Sequence, residues 1–274
     1  MSRLTELFNR KKERVLNVYC TAGFPEPDST RPVLRALQAG GADLIELGMP
    51  YSDPLADGPV IQASGARALA GGMTIGRLLE QLAGFREEIS VPVVLMGYLN
   101  PLLQYGFARF CKEAAALGID GLIVPDIPMF EYEQEYKSIV EGAGLHFIFL
   151  VTPETTNDRV RKLDALSSGF LYAVSSSSIT GAEKELAPTD DYLLRLKGLY
   201  LRNPVLVGFG IRDKASFDAA CRHAQGAIIG SAYIQALEKG PDIETATHAF
   251  LDSVLGAGSP EGKERPDTAL DASR

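Results

Sequence analysis

Asp43-Leu-Ile-Glu-Leu-Gly-Met-Pro-Tyr-Ser-Asp-Pro-Leu-Ala-Asp-Gly58 passes within a few residues from an apolar strand pattern to a proline-rich loop. Leu44–Leu47 is short and almost continuously apolar, the pattern of a strand covered on both faces rather than one with a solvent side. Glu46 interrupts it. A carboxylate in such a strand costs several kcal/mol unless it is paired or used. The loop that follows carries Asp53 and Asp57, and Pro50, Pro54 and Pro59 stiffen it. A buried acid at a strand end, with a second carboxylate on the next loop, is what proton-transfer chemistry requires.

Working outward, the same kind of run recurs at Val15–Cys20, Val91–Met96, Gly121–Val124, Phe147–Val151, Phe170–Val174, Val205–Val207 and Ala227–Ile229. Helical periodicity follows several of them, as in Val33-Leu34-Leu37, Leu78-Leu79-Leu82, Phe107-Phe110-Ala114 and Val160-Leu163-Leu166. Glycines close these segments before the next strand, at Gly40-Gly41, Gly118, Gly142-Gly144 and Gly169. Eight β–α units predict an α/β fold, a (β/α)8 TIM barrel, with a doubly wound open sheet as the alternative. No Gly-x-Gly-x-x-Gly follows the first strand, which weakens a dinucleotide-binding sheet. Leu4, Leu7 and Phe8 predict a short N-terminal helix capping the barrel bottom. A single barrel domain is expected over residues 1–256, and a disordered, charged, Gly/Pro-rich tail over 257–274.

Two connections are long. Tyr51–Met73 reads as loop and helix entry. Ser175–Pro188 is small and polar and reads as a lid. Both leave the C-terminal ends of strands, where barrel active sites sit.

Composition narrows the function. The chain has 274 residues, is 46% hydrophobic and carries a net charge of −8 with the two signs interspersed, so no basic stripe marks a nucleic-acid binder. Cys20, Cys111 and Cys221 are scattered and fit reduced thiols in a cytoplasmic protein. The N-terminus lacks an apolar signal core, and no run is long enough for a membrane span. His146, His223 and His248 lie apart and form no metal set; His146, beside a strand, reads as a structural residue. Lys is absent from the strand runs, against a Schiff-base aldolase.

Three constellations carry chemistry. Glu46 and Asp57 face one barrel mouth; the alternative is that Glu46 is a buried ion-pair partner and Asp57 caps a turn. Asp53, in Ser52-Asp53-Pro54, reads as a loop brace. Gly208-Phe-Gly-Ile211 after the seventh strand and Gly230-Ser231 after the eighth form a phosphate cradle, which Thr180-Gly181 could complete. Tyr172, inside an apolar strand, needs a hydroxyl partner, in the core or on a ligand.

These residues resemble the tryptophan synthase α-subunit family over Leu4–Leu255. Ile45–Pro59 matches the family signature, supported by Thr21-Ala-Gly-Phe-Pro25, Met96-Gly-Tyr-Leu-Asn-Pro101, Val124-Pro-Asp-Ile-Pro128, Ile179-Thr-Gly181, Gly208-Phe-Gly-Ile211 and Gly230-Ser231. The resemblance implies a carbon–carbon lyase that cleaves indole-3-glycerol phosphate to indole and glyceraldehyde 3-phosphate. It assigns Glu46 as general acid–base and Asp57 as the carboxylate on the indole N–H. It places Tyr172, Tyr19, Met96 and Ile123 around the substrate, Thr180 on the lid, and Gly181, Gly210, Gly230 and Ser231 on the phosphate. The chain would hold no cofactor or metal. Indole would pass to a pyridoxal-phosphate β subunit in an α2β2 assembly, with Pro50–Pro59 and Tyr98–Tyr105 at the interface. Ser178 stands where the family often has an additional Gly, which bears on lid motion. Two other readings remain: another phosphate-binding barrel enzyme of aromatic or histidine biosynthesis, and a non-catalytic activating subunit.

Overall fold

The computed structural model describes residues 1–174, 187–208 and 210–256. Its strands are β1 (Val15–Thr21), β2 (Leu44–Gly48), β3 (Val93–Met96), β4 (Gly121–Ile123), β5 (His146–Ile148), β6 (Leu150–Val151), β7 (Leu171–Val174), β8 (Val205–Gly208) and β9 (Gly226–Ile229). All pair in parallel, in the order β5-β4-β3-β2-β1-β9-β8-β7-β6. The expected eighth strand pairs back onto the first, so the sheet is a TIM barrel rather than an open sheet.

Nine segments stand where eight runs are expected because the fifth run divides at Phe149. The Phe149 N–H donates to Ser167 Oγ at 3.1 Å, out of the ladder, while its carbonyl accepts from the Tyr172 N–H at 3.0 Å. One half joins β4 and the other joins β7, which brings the two ends of the sheet together.

Paired residues of a parallel ladder share a face, and side chains alternate along each strand. The registers Tyr19↔Glu46, Gly48↔Met96 and Met96↔Ile123 therefore put Glu46, Tyr19, Met96 and Ile123 on one side of the sheet. Burial is nearly complete along every strand, as expected for a barrel filled inside and covered by helices outside.

The helix Arg3–Arg10 closes the bottom of the barrel. Ser2 caps it by accepting from the Thr5 N–H, and Leu4 and Leu7 are buried. Phe8 lies 6.2 Å from the Phe170 ring. His146 is structural, with Nε2 2.6 Å from Ser2 Oγ.

The Tyr51–Met73 connection differs from expectation. Most of it is a helix, Pro59–Ala70. Its apolar residues make no clear stripe, so periodicity misses it; Pro59 in the first turn and an alanine-rich body favour helix instead. The lid segment also ends earlier than expected, since Ala187 and Pro188 already belong to the helix Ala187–Lys197. Its remainder, 175–186, and the tail, 257–274, lie outside the described residues.

Candidate active site

Glu46 sits mid-strand in β2 and is 1% exposed. No cation pairs with it among the described residues; its carboxylate Oε2 accepts from Asn17 Nδ2 of β1 at 3.2 Å. Burial pushes the Glu46 carboxyl up to about 8; the Asn17 hydrogen bond opposes the rise and the Asp57 charge adds to it. The acid is therefore largely protonated at neutral pH.

Asp57 stands on the loop after β2, partly exposed. It does not cap the next helix, whose N-cap is Gly58 with no side-chain cap bond. Instead it is hydrogen-bonded by Tyr98, from the loop after β3. Burial raises its carboxyl to about 6 and the Tyr98 bond restrains the rise. Tyr98 Oη also accepts from the Ala56 N–H at 3.0 Å, and its ring lies 5.3 Å from that of Tyr51. Tyr98 thus latches the Asp57 loop to the next strand's exit. In the sequence Tyr98 stands out as part of the Met96–Pro101 motif and as the start of an interface segment, with no role beside Asp57; a tyrosine right after a strand-end glycine is the available signal. Asp53 is exposed and bonds locally, accepting from Ser52 Oγ at 2.5 Å, as a loop brace does.

Tyr19 and Tyr172 are almost fully buried. Burial drives both hydroxyls well above the usual tyrosine range, and the charges of Asp57 and Glu46 push the same way. Each ring lies over a glycine of the next strand. A Cβ on Gly48 would fall 2.0 Å from Tyr19 Oη, and one on Gly208 would fall 2.3 Å from Tyr172 Cε1. The missing side chains leave the rings their places beside the carboxylates. Met96 and Ile123 are buried alongside.

The glycines expected to cradle a phosphate sit on adjacent strand exits. Gly210 is exposed, two residues beyond β8. Gly230 directly follows β9 and begins the helix Ser231–Lys239 without a capping side chain. An uncapped helix start beside a backbone-only strand exit offers N–H groups and the positive end of the helix dipole to an anion. Thr180, Gly181 and Ser178 lie outside the described residues.

Among the described residues, no group of three or more His, Cys, Asp or Glu could hold a metal ion, and no helix is long and apolar enough to cross a membrane. A surface cleft of about 770 Å³ runs outside the barrel past Ser29, Arg35, Arg67 and Asp242. It includes neither Glu46 nor Asp57 and is not the reaction site.

The sequence profile of the tryptophan synthase alpha chain family matches residues 6–255. The tryptophan synthase alpha chain of Bacteroides thetaiotaomicron is 46% identical over 255 residues, covering 93% of this chain and 100% of the relative. The crystal structure of the tryptophan synthase alpha subunit from Legionella pneumophila superposes with a TM-score of 0.84 at 34% identity, covering 93% of this chain and 97% of that one. A chain of tryptophan synthase from M. tuberculosis, in its aminoacrylate-bound form, has a TM-score of 0.80 at 32% identity, covering 93% and 100%.

Proposed function

Because the chain belongs to the tryptophan synthase alpha chain family, lyases acting on indole-3-glycerol phosphate, we propose that Glu46 and Asp57 together carry its retro-aldol cleavage to indole and glyceraldehyde 3-phosphate. The observation that carries this reading is Glu46 itself, an acid held inside the barrel and largely protonated at neutral pH, within electrostatic reach of Asp57.

Indole is a poor carbanion leaving group, so the ring must first become an electron acceptor. Glu46 gives its proton to indole C3. The ring is then an iminium cation, and the Asp57 carboxylate accepts a hydrogen bond from its N–H and stabilises the positive charge. Glu46, now a carboxylate, takes the proton of the glycerol hydroxyl next to the scissile bond. The aldehyde forms, the carbon–carbon bond breaks, and its electron pair restores the aromatic ring. Glu46 ends protonated, as it began. Tyr19, Tyr172, Met96 and Ile123 wall the indole, while N–H groups at Gly210, Gly230 and Ser231 bind the phosphate.

The alpha family is cofactor-free. A pyridoxal-phosphate β subunit would take the indole, in an α2β2 assembly and a cytoplasmic setting, with no nucleic acid or membrane involved. Leu55, Leu103 and Phe130 are exposed on the connections after β2, β3 and β4, which supports a protein partner over that rim. Leu55 lies in Pro50–Pro59 and Leu103 in Tyr98–Tyr105; Phe130 extends the face beyond both. Residues 1–256 act as one domain in this reading.

An indole-release assay with indole-3-glycerol phosphate, with and without a β subunit, tests the activity. Turnover is expected, and Glu46→Gln is expected to lower it on the order of 10²–10⁴-fold while glycerol phosphate still binds. Near wild-type turnover by that variant would remove Glu46 from the mechanism.

A further inference from the structure

We propose that Asn17 is a positioning residue for Glu46, one that partners its carboxyl group both as acid and as carboxylate. The inference rests on the acid–base reading of Glu46.

Asn17 is 0% exposed, in the middle of β1. The run around it, Val15-Leu-Asn-Val-Tyr-Cys20, is otherwise a core strand, and an apolar residue would serve packing better. A buried primary amide costs free energy unless its groups are bonded. Nδ2 is satisfied, donating to Glu46 Oε2 at 3.2 Å. Oδ1 is buried and has no hydrogen-bond partner among the described residues. One half of the amide therefore meets the carboxyl group, and the other half waits.

The chemistry of Glu46 accounts for the idle half. A carboxylate only accepts hydrogen bonds, whereas a carboxylic acid also has an O–H to donate. Glu46 must pass through both forms in each turnover. An amide turned by half a rotation about its last side-chain bond exchanges NH2 for C=O. It donates to the carboxylate in one orientation and accepts from the acid in the other. A leucine could do neither, and a lysine would hold Glu46 ionised. The other titratable groups coupled to Glu46 are Tyr19 and Cys20 from β1, Asp57 from the loop after β2 and Tyr172 from β7. The tyrosines and the thiol carry donor and acceptor on one atom and Asp57 acts as a carboxylate acceptor, whereas an amide keeps donor and acceptor on separate atoms in every state.

Asn17→Leu removes both functions while keeping the branched side-chain skeleton, and its added methyl volume falls among apolar neighbours. Two readouts on the full chain test it: the pH dependence of indole release, and the titration of the Glu46 carboxyl by 13C NMR, assigned by the signal lost in Glu46→Gln. The variant loses a charge-assisted bond to the carboxylate and a weaker one from the acid, so the Glu46 midpoint is expected to rise by about one pH unit, the alkaline limb of kcat/KM to move upward with it, and kcat to fall about tenfold. A folded Asn17→Leu chain with wild-type midpoint and kcat overturns the proposal and leaves the acid–base role of Glu46 intact. Wild-type turnover by Glu46→Gln overturns the reading beneath it, and the proposal with it. Should Asn17→Leu not fold, Asn17→Ala is read by the same two measurements, with the same outcomes deciding.

Discussion

Glu46 and Asp57 differ in what surrounds them, and the difference sets their pH behaviour. The reaction needs Glu46 as an acid and Asp57 as a carboxylate. With Glu46 raised to about 8 and Asp57 to about 6 in the free chain, kcat/KM for indole release should be bell-shaped, falling below the Asp57 value and above the Glu46 value. A profile that stays flat from about pH 5 to 9 would refute these roles. The same shift acts on stability. Folded Glu46 binds its proton more tightly than the unfolded chain, whose value is near 4.5. Between the two values the native state holds more protons, so this residue's contribution to stability is retained at low pH and lost as pH rises through about 8. Glu46→Gln should therefore be more stable than wild type by a few kcal/mol at alkaline pH, with the gap narrowing toward pH 4; urea unfolding at the two pH extremes measures it. A carboxylate in an apolar run is readable from sequence. Its Asn17 partner, from another strand, is not.

At the scale of elements, the barrel interior is shaped by tyrosines laid over glycines of neighbouring strands. Gly208→Ala would press a methyl group into the Tyr172 ring and move it from the carboxylates. About 1–3 kcal/mol of overpacking cost is expected, together with a loss of kcat larger than that destabilisation explains at a temperature where the variant is folded. An unchanged kcat would show that the ring's position is unimportant. The glycines of β2 and β8 were legible as strand-end residues, but not as seats for rings, because the seat depends on the register of β1 with β2 and of β7 with β8. Strand positions were legible to within a residue or two, since continuous apolar runs report burial on both faces. The helix Pro59–Ala70 was not, because its alanine-rich surface carries no stripe to detect.

For the whole molecule, the two ends of the barrel divide stability from chemistry. At the bottom, Asp120 accepts from the Val93 N–H at 2.8 Å and from Arg3 Nη1 at 3.0 Å, and it also pairs with Arg86. Arg86 in turn donates to the carbonyls of Gly118 and Val91. This knot ties the N-terminal helix, the entry to β3 and the entry to β4. Asp120→Ala would leave Arg86 largely buried without its anion, at a cost of about 3–5 kcal/mol. Turnover per folded molecule should be unchanged, because the change lies at the end remote from the strand exits. Urea unfolding and active-site-normalised kcat check the two halves. A stable variant with reduced kcat would contradict this division.

The succession of buried-strand patterns and helical stripes determines a parallel α/β sheet and favours a barrel, and the pairing of β9 with β1 closes it. Glu46 is marked in the chain itself, since a charge in an apolar strand is costly unless it has a use, whereas Asp57, on the loop that follows, is marked only by its place in a motif that resembles the family's. Only the tertiary structure decided that Asn17 meets Glu46, that Tyr98 holds Asp57, and that Gly48 and Gly208 make room for Tyr19 and Tyr172. Each of these contacts joins different strands or loops. They depend on registers and ring closure, which are set by the packing of the whole sheet rather than by any local run of residues.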